Sequence, residues 1–294
     1  MKKIGFCIVK CWAVFQSVQP FWLLYLKSDC YYLLVYHVFR YRRKVVRENL
    51  LRSFPEKDAK AIKAIERRFY RNLCDVFVEA PKMYRQKSDD FLKRVKPTNP
   101  EVIAELEARH VSFFYALPHS GNWEWFGKTM PELSSHNYKV IYKKVKDPVF
   151  DRLMLEMREK NNIVEMLEAN TALKHLVRTR DDMNAVLILA DQSPRGVASD
   201  YWTEFLHQDT CWFGGLERMA KMLDYAVVFV ALKRVGRGRY AATFELITDQ
   251  PKATEKGFIM ESYVRCIERL IQEQPDNWLW SHRRWKHQRN QEAA

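Results

Sequence analysis

Five short apolar runs after residue 110 constrain the fold more than any other feature of the chain. They are VSFFYAL at 111–117, YKVIY at 138–142, AVLILA at 185–190, YAVVFVAL at 225–232 and YAATFELI at 240–247. Several are apolar on both faces, as strands are when helices cover both sides of a sheet. Helical patterns lie between them, at about 122–133, 148–160, 171–180 and 214–223, and a last one runs from about 254 to 274. This alternation predicts an α/β fold, a sheet layered by helices. The turn VGRGR at 235–239 makes the last two runs a hairpin, so the sheet is expected to be mixed. Upstream, Ser53-Phe-Pro-Glu56 reads as a capping box opening a long helix to about Tyr84, and Asn99-Pro100 as the start of a shorter one to about Arg109.

The first 50 residues have a different texture. They hold nine Lys and Arg against Asp29 and Glu48, and eleven of the forty aromatic residues. The uncharged stretch from Cys11 to Leu26, CWAVFQSVQPFWLLYL, is about 24 Å long as a helix. That is short of a ~30 Å hydrocarbon core unless it begins near Ile4 and Lys10 snorkels. Aromatic residues such as Trp12, Trp22 and Tyr25, with the Arg40 to Arg47 cluster behind them, suit a headgroup region of anionic lipid. Residues 1–48 therefore read as a membrane anchor or a deeply seated interfacial helix, and 49–294 as the main globular domain. A buried helix pair is the competing reading. No small-residue cleavage site follows the apolar run, which disfavours a signal peptide.

Forty-nine basic and 36 acidic residues leave a net charge of +13, which calls for an anionic partner. The mean hydropathy of −0.41 excludes a multi-spanning membrane protein. No zinc-finger spacing or RNA-binding aromatic strand accompanies the charge, so nucleic acid is not expected as a partner. The six cysteines show neither C-x-x-C spacing nor grouping with histidines, so they read as reduced, and no metal or cofactor is expected.

In open α/β sheets, sites gather where strands end. The most suggestive junction is Pro118-His119-Ser-Gly-Asn-Trp-Glu124, directly after the run ending at Leu117. There His119 falls in the turn and Glu124 in the first turn of the next helix, where a carboxylate can orient an imidazole that acts as general base. The plainer alternative is a helix-capping pair. A G-x-S-x-G nucleophile elbow and a phosphate-binding glycine loop are both missing. A base without a nucleophile suggests direct attack by an acceptor hydroxyl.

The context ALPHSGNWEWFG, with His, four residues, then Glu, resembles the glycerolipid-type acyltransferases, and in particular their lipid A late acyltransferase branch, the lauroyl and myristoyl transferases. The resemblance runs nearly the whole chain. It includes Asn49-Leu-Leu-Arg-Ser-Phe-Pro-Glu56, Tyr142-Lys143, Asp147-Pro148 with Asp151 and Arg158, Asp191-Gln192, and Trp278-Leu-Trp-Ser-His-Arg-Arg-Trp-Lys286. Two departures fall where substrate is expected: Lys143 stands where relatives often have Arg, and Ser-Pro-Arg-Gly follows Asp191-Gln192.

The resemblance implies acyl transfer from an acyl carrier protein thioester, or acyl-CoA, to a hydroxyl of a lipid A precursor or related anionic glycolipid. It also implies an inner-membrane enzyme with its catalytic domain on the cytoplasmic face. His119 becomes the base and Glu124 its orienting partner, Arg158 holds the oxyanion or a substrate phosphate, and N–H groups around Gly121 and Asn122 are the alternative oxyanion donors. Tyr142, Lys143, Asp191, Gln192 and Arg195 are expected at the substrate, and His282, Arg283, Arg284 and Lys286 at its head group. The alternatives are an amino-lipid or phospholipid acceptor, a thioester or ester hydrolase using the same base, and a basic membrane-surface protein without catalysis.

Overall fold

The computed structural model describes residues 2–160, 164–194, 201–287 and 289. The chain opens with four helices: α1 (Lys2–Val18), α2 (Phe21–Tyr32), α3 (Arg43–Ser53) and α4 (Ala59–Glu79), with a π-helical turn at Leu33–Val38 between the second and third. A 3-10 segment, Ala80–Tyr84, and α5 (Ser88–Leu92) lead into β1 (Val95–Pro97) and α6 (Glu101–Ala108). Then strand and helix alternate: β2 (Phe113–Ala116), α7 (Trp123–Thr129), β3 (Asn137–Tyr142), α8 (Pro148–Glu159), β4 (Val164–Glu168), α9 (Ala172–Arg178) and β5 (Asn184–Ile188). The short strands β6 (Tyr201–Phe205) and β7 (Gln208–Trp212) form a separate hairpin. Helix α10 (Gly215–Leu223), strands β8 (Ala226–Gly236) and β9 (Arg239–Thr248), and α11 (Phe258–Glu273) complete the order.

Seven strands form one mixed sheet in the order β1-β9-β8-β2-β5-β3-β4. Strands β8, β2, β5, β3 and β4 run parallel, and β9 pairs antiparallel with β8 through the expected hairpin. All five apolar runs lie in this sheet. Their two-sided character has a direct cause. Phe114, Ala116, Val186, Ile188, Val227 and Phe229 face a core built on α3, α4, α10 and α11, while Phe113, Tyr115, Ala185, Leu187, Val228 and Val230 face a second core on the other side. Because β2, β5 and β8 are parallel neighbours, the loops after their carboxyl ends emerge side by side.

The amino-terminal segment differs from expectation. Among the described residues no helix is long and apolar enough to cross a membrane, so an anchoring helix through the 11–26 stretch is not supported. Pro20 is the reason: it cannot donate a helix hydrogen bond, and the run breaks into α1 and α2. The break is built in. Buried Lys82 donates to the carbonyls of Ser17 (3.0 Å) and Gln19, and Lys27 Nζ donates to the Gln16 and Gln19 side chains at 3.1 and 2.5 Å. Ala13 and Leu24 are wholly buried, so both helices pack into the body on one face. On the other, Ile8, Phe15, Trp22 and Leu26 are exposed.

Two expected caps are also replaced. Ser53 ends α3 instead of opening a helix, and Asp58 caps α4 by accepting the Ala61 N–H at 2.7 Å. Asn99 leaves its cap position to pair with the β9 edge, exchanging two 2.8 Å hydrogen bonds with the main chain of Phe244.

Replacing Lys82 with Met strips the cap from the end of α1. Its chemical-denaturation midpoint is expected to fall by the equivalent of about 1–2 kcal/mol, with proteolytic nicking near residue 19. A variant as stable and as resistant as wild type removes Lys82 from this role.

Candidate active site

The turn after β2 is set by its sequence. Gly121 adopts φ +56°, and a Cβ there would stand 3.1–3.2 Å from the side chain and carbonyl of Leu232, so glycine is required by both conformation and space. Asn122 then caps α7, its Oδ1 accepting the Trp125 N–H at 3.0 Å. His119 sits at the open end of this turn, partly exposed, with the Trp123 ring 5.2 Å from its own.

The carboxylate that holds His119 comes from the next strand. Asp191, just past the end of β5, lies 2.5 Å from His119 Nδ1 and accepts the His119 main-chain N–H at 2.9 Å. The indole N–H of Trp278 donates to the same carboxylate at 2.9 Å. Burial works to raise the Asp191 pKa, but the interactions with His119 and Trp278 outweigh it and keep the carboxyl below its ordinary range. An ionised Asp191 can only accept, so Nδ1 carries the ring proton. The Gln192 amide nitrogen lies 3.2 Å from Nε2, the ring nitrogen left with a lone pair.

Glu124 therefore does not orient the imidazole. Its carboxylate is clamped by Arg158, whose Nε and Nη2 donate at 2.8 and 2.6 Å, and it accepts the Trp123 indole N–H at 3.2 Å. Burial raises its pKa, and the adjacent guanidinium more than reverses that. The fork geometry matches two carboxylate oxygens, which a lysine could not do. Arg158 is held from behind as well: the buried Lys128 ammonium donates to the main-chain carbonyls of Arg158 (2.8 Å) and Lys160 (2.6 Å).

Other expected positions distribute differently. The Gly121 N–H is spent on the Asn277 carbonyl at 3.1 Å, and Asn122 is wholly buried, main chain included, so neither is the oxyanion donor that was expected. Tyr142 is half-buried near Arg158, and Lys143 is exposed on the 143–147 loop, which Asp147 caps onto α8 and Asp151 holds through the Val145 N–H. Arg195 lies outside the described residues. In the carboxy-terminal cluster, Arg284 is buried, donating to the Cys211 carbonyl at 2.7 Å and stacking on Trp212. His282 accepts the Ser193 N–H at Nε2, and burial pushes its pKa down to about 4. Neither is a head-group cation. Arg283 and Lys286 are exposed.

This segment braces the site. Leu279 N–H bonds the His119 carbonyl at 3.0 Å, Ser120 bridges Trp278, and Ser193 Oγ bonds the Arg283 carbonyl at 3.1 Å. Asn49 Nδ2 in turn holds the Trp280 and His282 carbonyls at 2.9 and 3.0 Å. A polar cavity of about 870 Å³ opens beside it, between α4 and the β8-β9 turn, with Arg71, Arg234, Arg237 and Asp276 in its wall.

A family model of bacterial lipid A biosynthesis acyltransferases matches residues 8–287. The chain belongs to this family. It is an enzyme that transfers acyl groups in lipid A biosynthesis, using an acyl donor and a lipid acceptor. A search of curated proteins found no match.

In this lipid A acyltransferase the roles of Asp191 and Trp278 escaped sequence reasoning. The signal was present: Asp191 follows an apolar run that neighbours 111–117, so both strand ends meet at one sheet edge. Asp191→Asn presents an amide to Nδ1 and favours the wrong tautomer, with kcat expected to fall on the order of 10³–10⁴-fold. Trp278→Phe, which removes one donor and keeps the carboxylate, is expected to lose about tenfold. Steady-state rates on variants with unchanged melting curves check both, and a fully active Asp191→Asn protein eliminates the pair.

Proposed function

We propose that His119 is the general base of an acyl transfer from an acyl carrier protein thioester to a hydroxyl of a lipid A precursor. One observation carries this reading: a partly exposed imidazole at the carboxyl edge of the sheet whose Nδ1 is held by a buried, ionised carboxylate, which leaves the lone pair on Nε2. The acceptor oxygen attacks the thioester carbonyl and its proton passes to Nε2. The tetrahedral oxyanion then collapses, the C–S bond breaks, and the imidazolium returns the proton to the departing sulfur. Arg158, aimed by Glu124, is the donor that meets the oxyanion, a contribution of ~3–4 kcal/mol for one such donor.

The exposed lysines Lys143, Lys144 and Lys146 support an acidic protein as donor, and with Arg283 and Lys286 they offer charge to a phosphorylated head group. The cavity beside the carboxy-terminal brace, lined by groups of both signs, suits phosphate and sugar hydroxyls together. The exposed Ile8, Phe15, Trp22 and Leu26, followed by the exposed Arg40, Arg42 and Lys44, support an interfacial seat on anionic lipid, on the cytoplasmic face of the inner membrane.

His119→Ala is expected to lose acyl transfer by at least ~10³-fold while folding normally, and the lipids of a deletion strain to lack one acyl chain by mass spectrometry. Near-normal turnover in the variant sinks the base. Free fatty acid released at the same rate with and without acceptor shows a hydrolase instead. Trp22→Ser with Leu26→Ser is expected to weaken flotation with anionic vesicles without touching the rate on detergent-dispersed acceptor, and unchanged flotation removes the interfacial seat.

A further inference from the structure

Glu79, the last residue of α4, is wholly buried and forms no ion pair among the described residues. Three neutral donors surround it. Asn122 Nδ2 and the Tyr240 hydroxyl donate to Oε2 at 2.7 and 2.9 Å, and the Tyr25 hydroxyl donates to Oε1 at 3.1 Å. Its carbonyl accepts the Trp125 indole N–H at 3.2 Å. A buried carboxylate without a cation is costly to desolvate, so what it holds must depend on it.

What it holds is the turn behind His119. Asn122 is the cap of α7, and the two residues after it are Trp123, which packs on the imidazole, and Glu124, which aims Arg158. The third donor comes from elsewhere: Tyr25 lies in α2, and its hydroxyl stands 1.8 Å from where a Cβ on Gly238 would sit, so the β8-β9 turn leaves it room only because residue 238 is glycine at φ +65°.

We propose that Glu79 is a positioning residue for acyl transfer: through Asn122 it fixes the turn at 121–124, and through Tyr25 it ties that turn to the amino-terminal helix α2. This rests on the reading that His119 and its turn carry the reaction.

The charged and titratable groups facing Glu79 are Asp75 on α4, Arg234 on β8, Tyr240 on β9 and Tyr25 on α2, with Arg94 acting on Tyr25. Asp75 is itself satisfied by Arg234, Arg237 and Ser28. Burial raises the Glu79 pKa against the Asn122 hydrogen bond, with Asp75 adding to the rise, to about 7. Below that value the carboxyl holds a proton it must donate, and one of its three donors loses an acceptor. The share of kcat that depends on this anchor is therefore present above pH 7 and lost as pH falls through it.

Glu79→Gln keeps the shape and mimics the protonated state. In the full-length protein, with lauroyl-acyl carrier protein as donor and acceptor lipid extracted from a deletion strain, its kcat at pH 8 is expected to fall roughly tenfold. KM is expected to stay constant and the melting curve to match wild type, and the step in kcat near pH 7 should vanish. Tyr25→Phe is expected to lose about two- to fivefold in kcat. Wild-type kcat with the pH 7 step intact, or a loss confined to KM, overturns the proposal. Should Glu79→Gln fail to fold, Tyr25→Phe and Tyr240→Phe decide, and wild-type kcat and pH profile in both overturn it. His119→Ala run alongside separates the two ideas: if it is inert while Glu79→Gln is normal, only the positioning role falls, whereas an active His119→Ala protein takes the base reading with it.

Discussion

The site depends on one buried carboxylate. Asp191 leaves water almost completely, and an isolated carboxylate so placed would take up a proton. It stays ionised because three donors from two parts of the chain converge on it: the ring and the main chain of His119, and the indole of Trp278. Each supports the others. The main-chain contact fixes the β2 turn against the end of β5, so the ring contact has a defined direction, and the indole brings the carboxy-terminal segment against both. Seventy-two residues separate His119 from Asp191 and 87 separate Asp191 from Trp278, so only the assembled sheet brings them together.

How much of this was legible follows from the same distances. The five core strands were readable because burial on both faces leaves continuous apolar runs, and the β8-β9 hairpin because of its glycine turn. The unexpected strands β1, β4, β6 and β7 have physical reasons for being silent. They are short, and Val95–Pro97 and Val164–Glu168 form the sheet's two edges, where polar residues are tolerated and the apolar signal fades. His119 was legible from its strand-end turn and from the family motif, whereas Asp191 was assigned only to substrate because Glu124 is the carboxylate nearest in sequence. The cluster from His282 to Lys286 was misread for a related reason. The intervening Trp280 and Trp285 signalled packing, but the charges among them were expected to face a head group, whereas Arg284 is carried inside with the rings.

The amino-terminal helices show a similar competition between length and breakpoint. Counted as one helix, residues 4–26 reach across a bilayer. Pro20, with Lys27 and Lys82 serving the carbonyl end of α1, turns that reach into two antiparallel-capable pieces that keep one apolar face against α4, α8 and the 3-10 turn. Phe21 packs edge-on against Trp125 in α7, and Tyr25 bonds Glu79, so this segment is continuous with the ground on which the 119–124 turn rests. Its outward aromatic and aliphatic side chains are a separate property, carried by the opposite face.

The spacing from His119 to Glu124 has a different meaning once the partners are known. Were the glutamate there to orient the imidazole, the five-residue separation would serve a contact between the two. Instead the turn and the start of α7 present the His119 imidazole at one end and, through Glu124, hold the Arg158 guanidinium at the other. In acyl transfer the proton leaves the attacking oxygen on one side of the carbonyl carbon while negative charge builds on the carbonyl oxygen. An imidazole on that turn and a guanidinium of α8 held against it by Glu124 would meet both changes without reorganising, which is where electrostatic stabilisation is most effective. Two carboxylates then do two jobs set by their partners: Asp191, facing imidazole, fixes a tautomer, and Glu124, facing guanidinium, fixes the direction of a positive charge. The second task tolerates no exchange of Arg158 for Lys, since a point charge has no plane for the carboxylate to align.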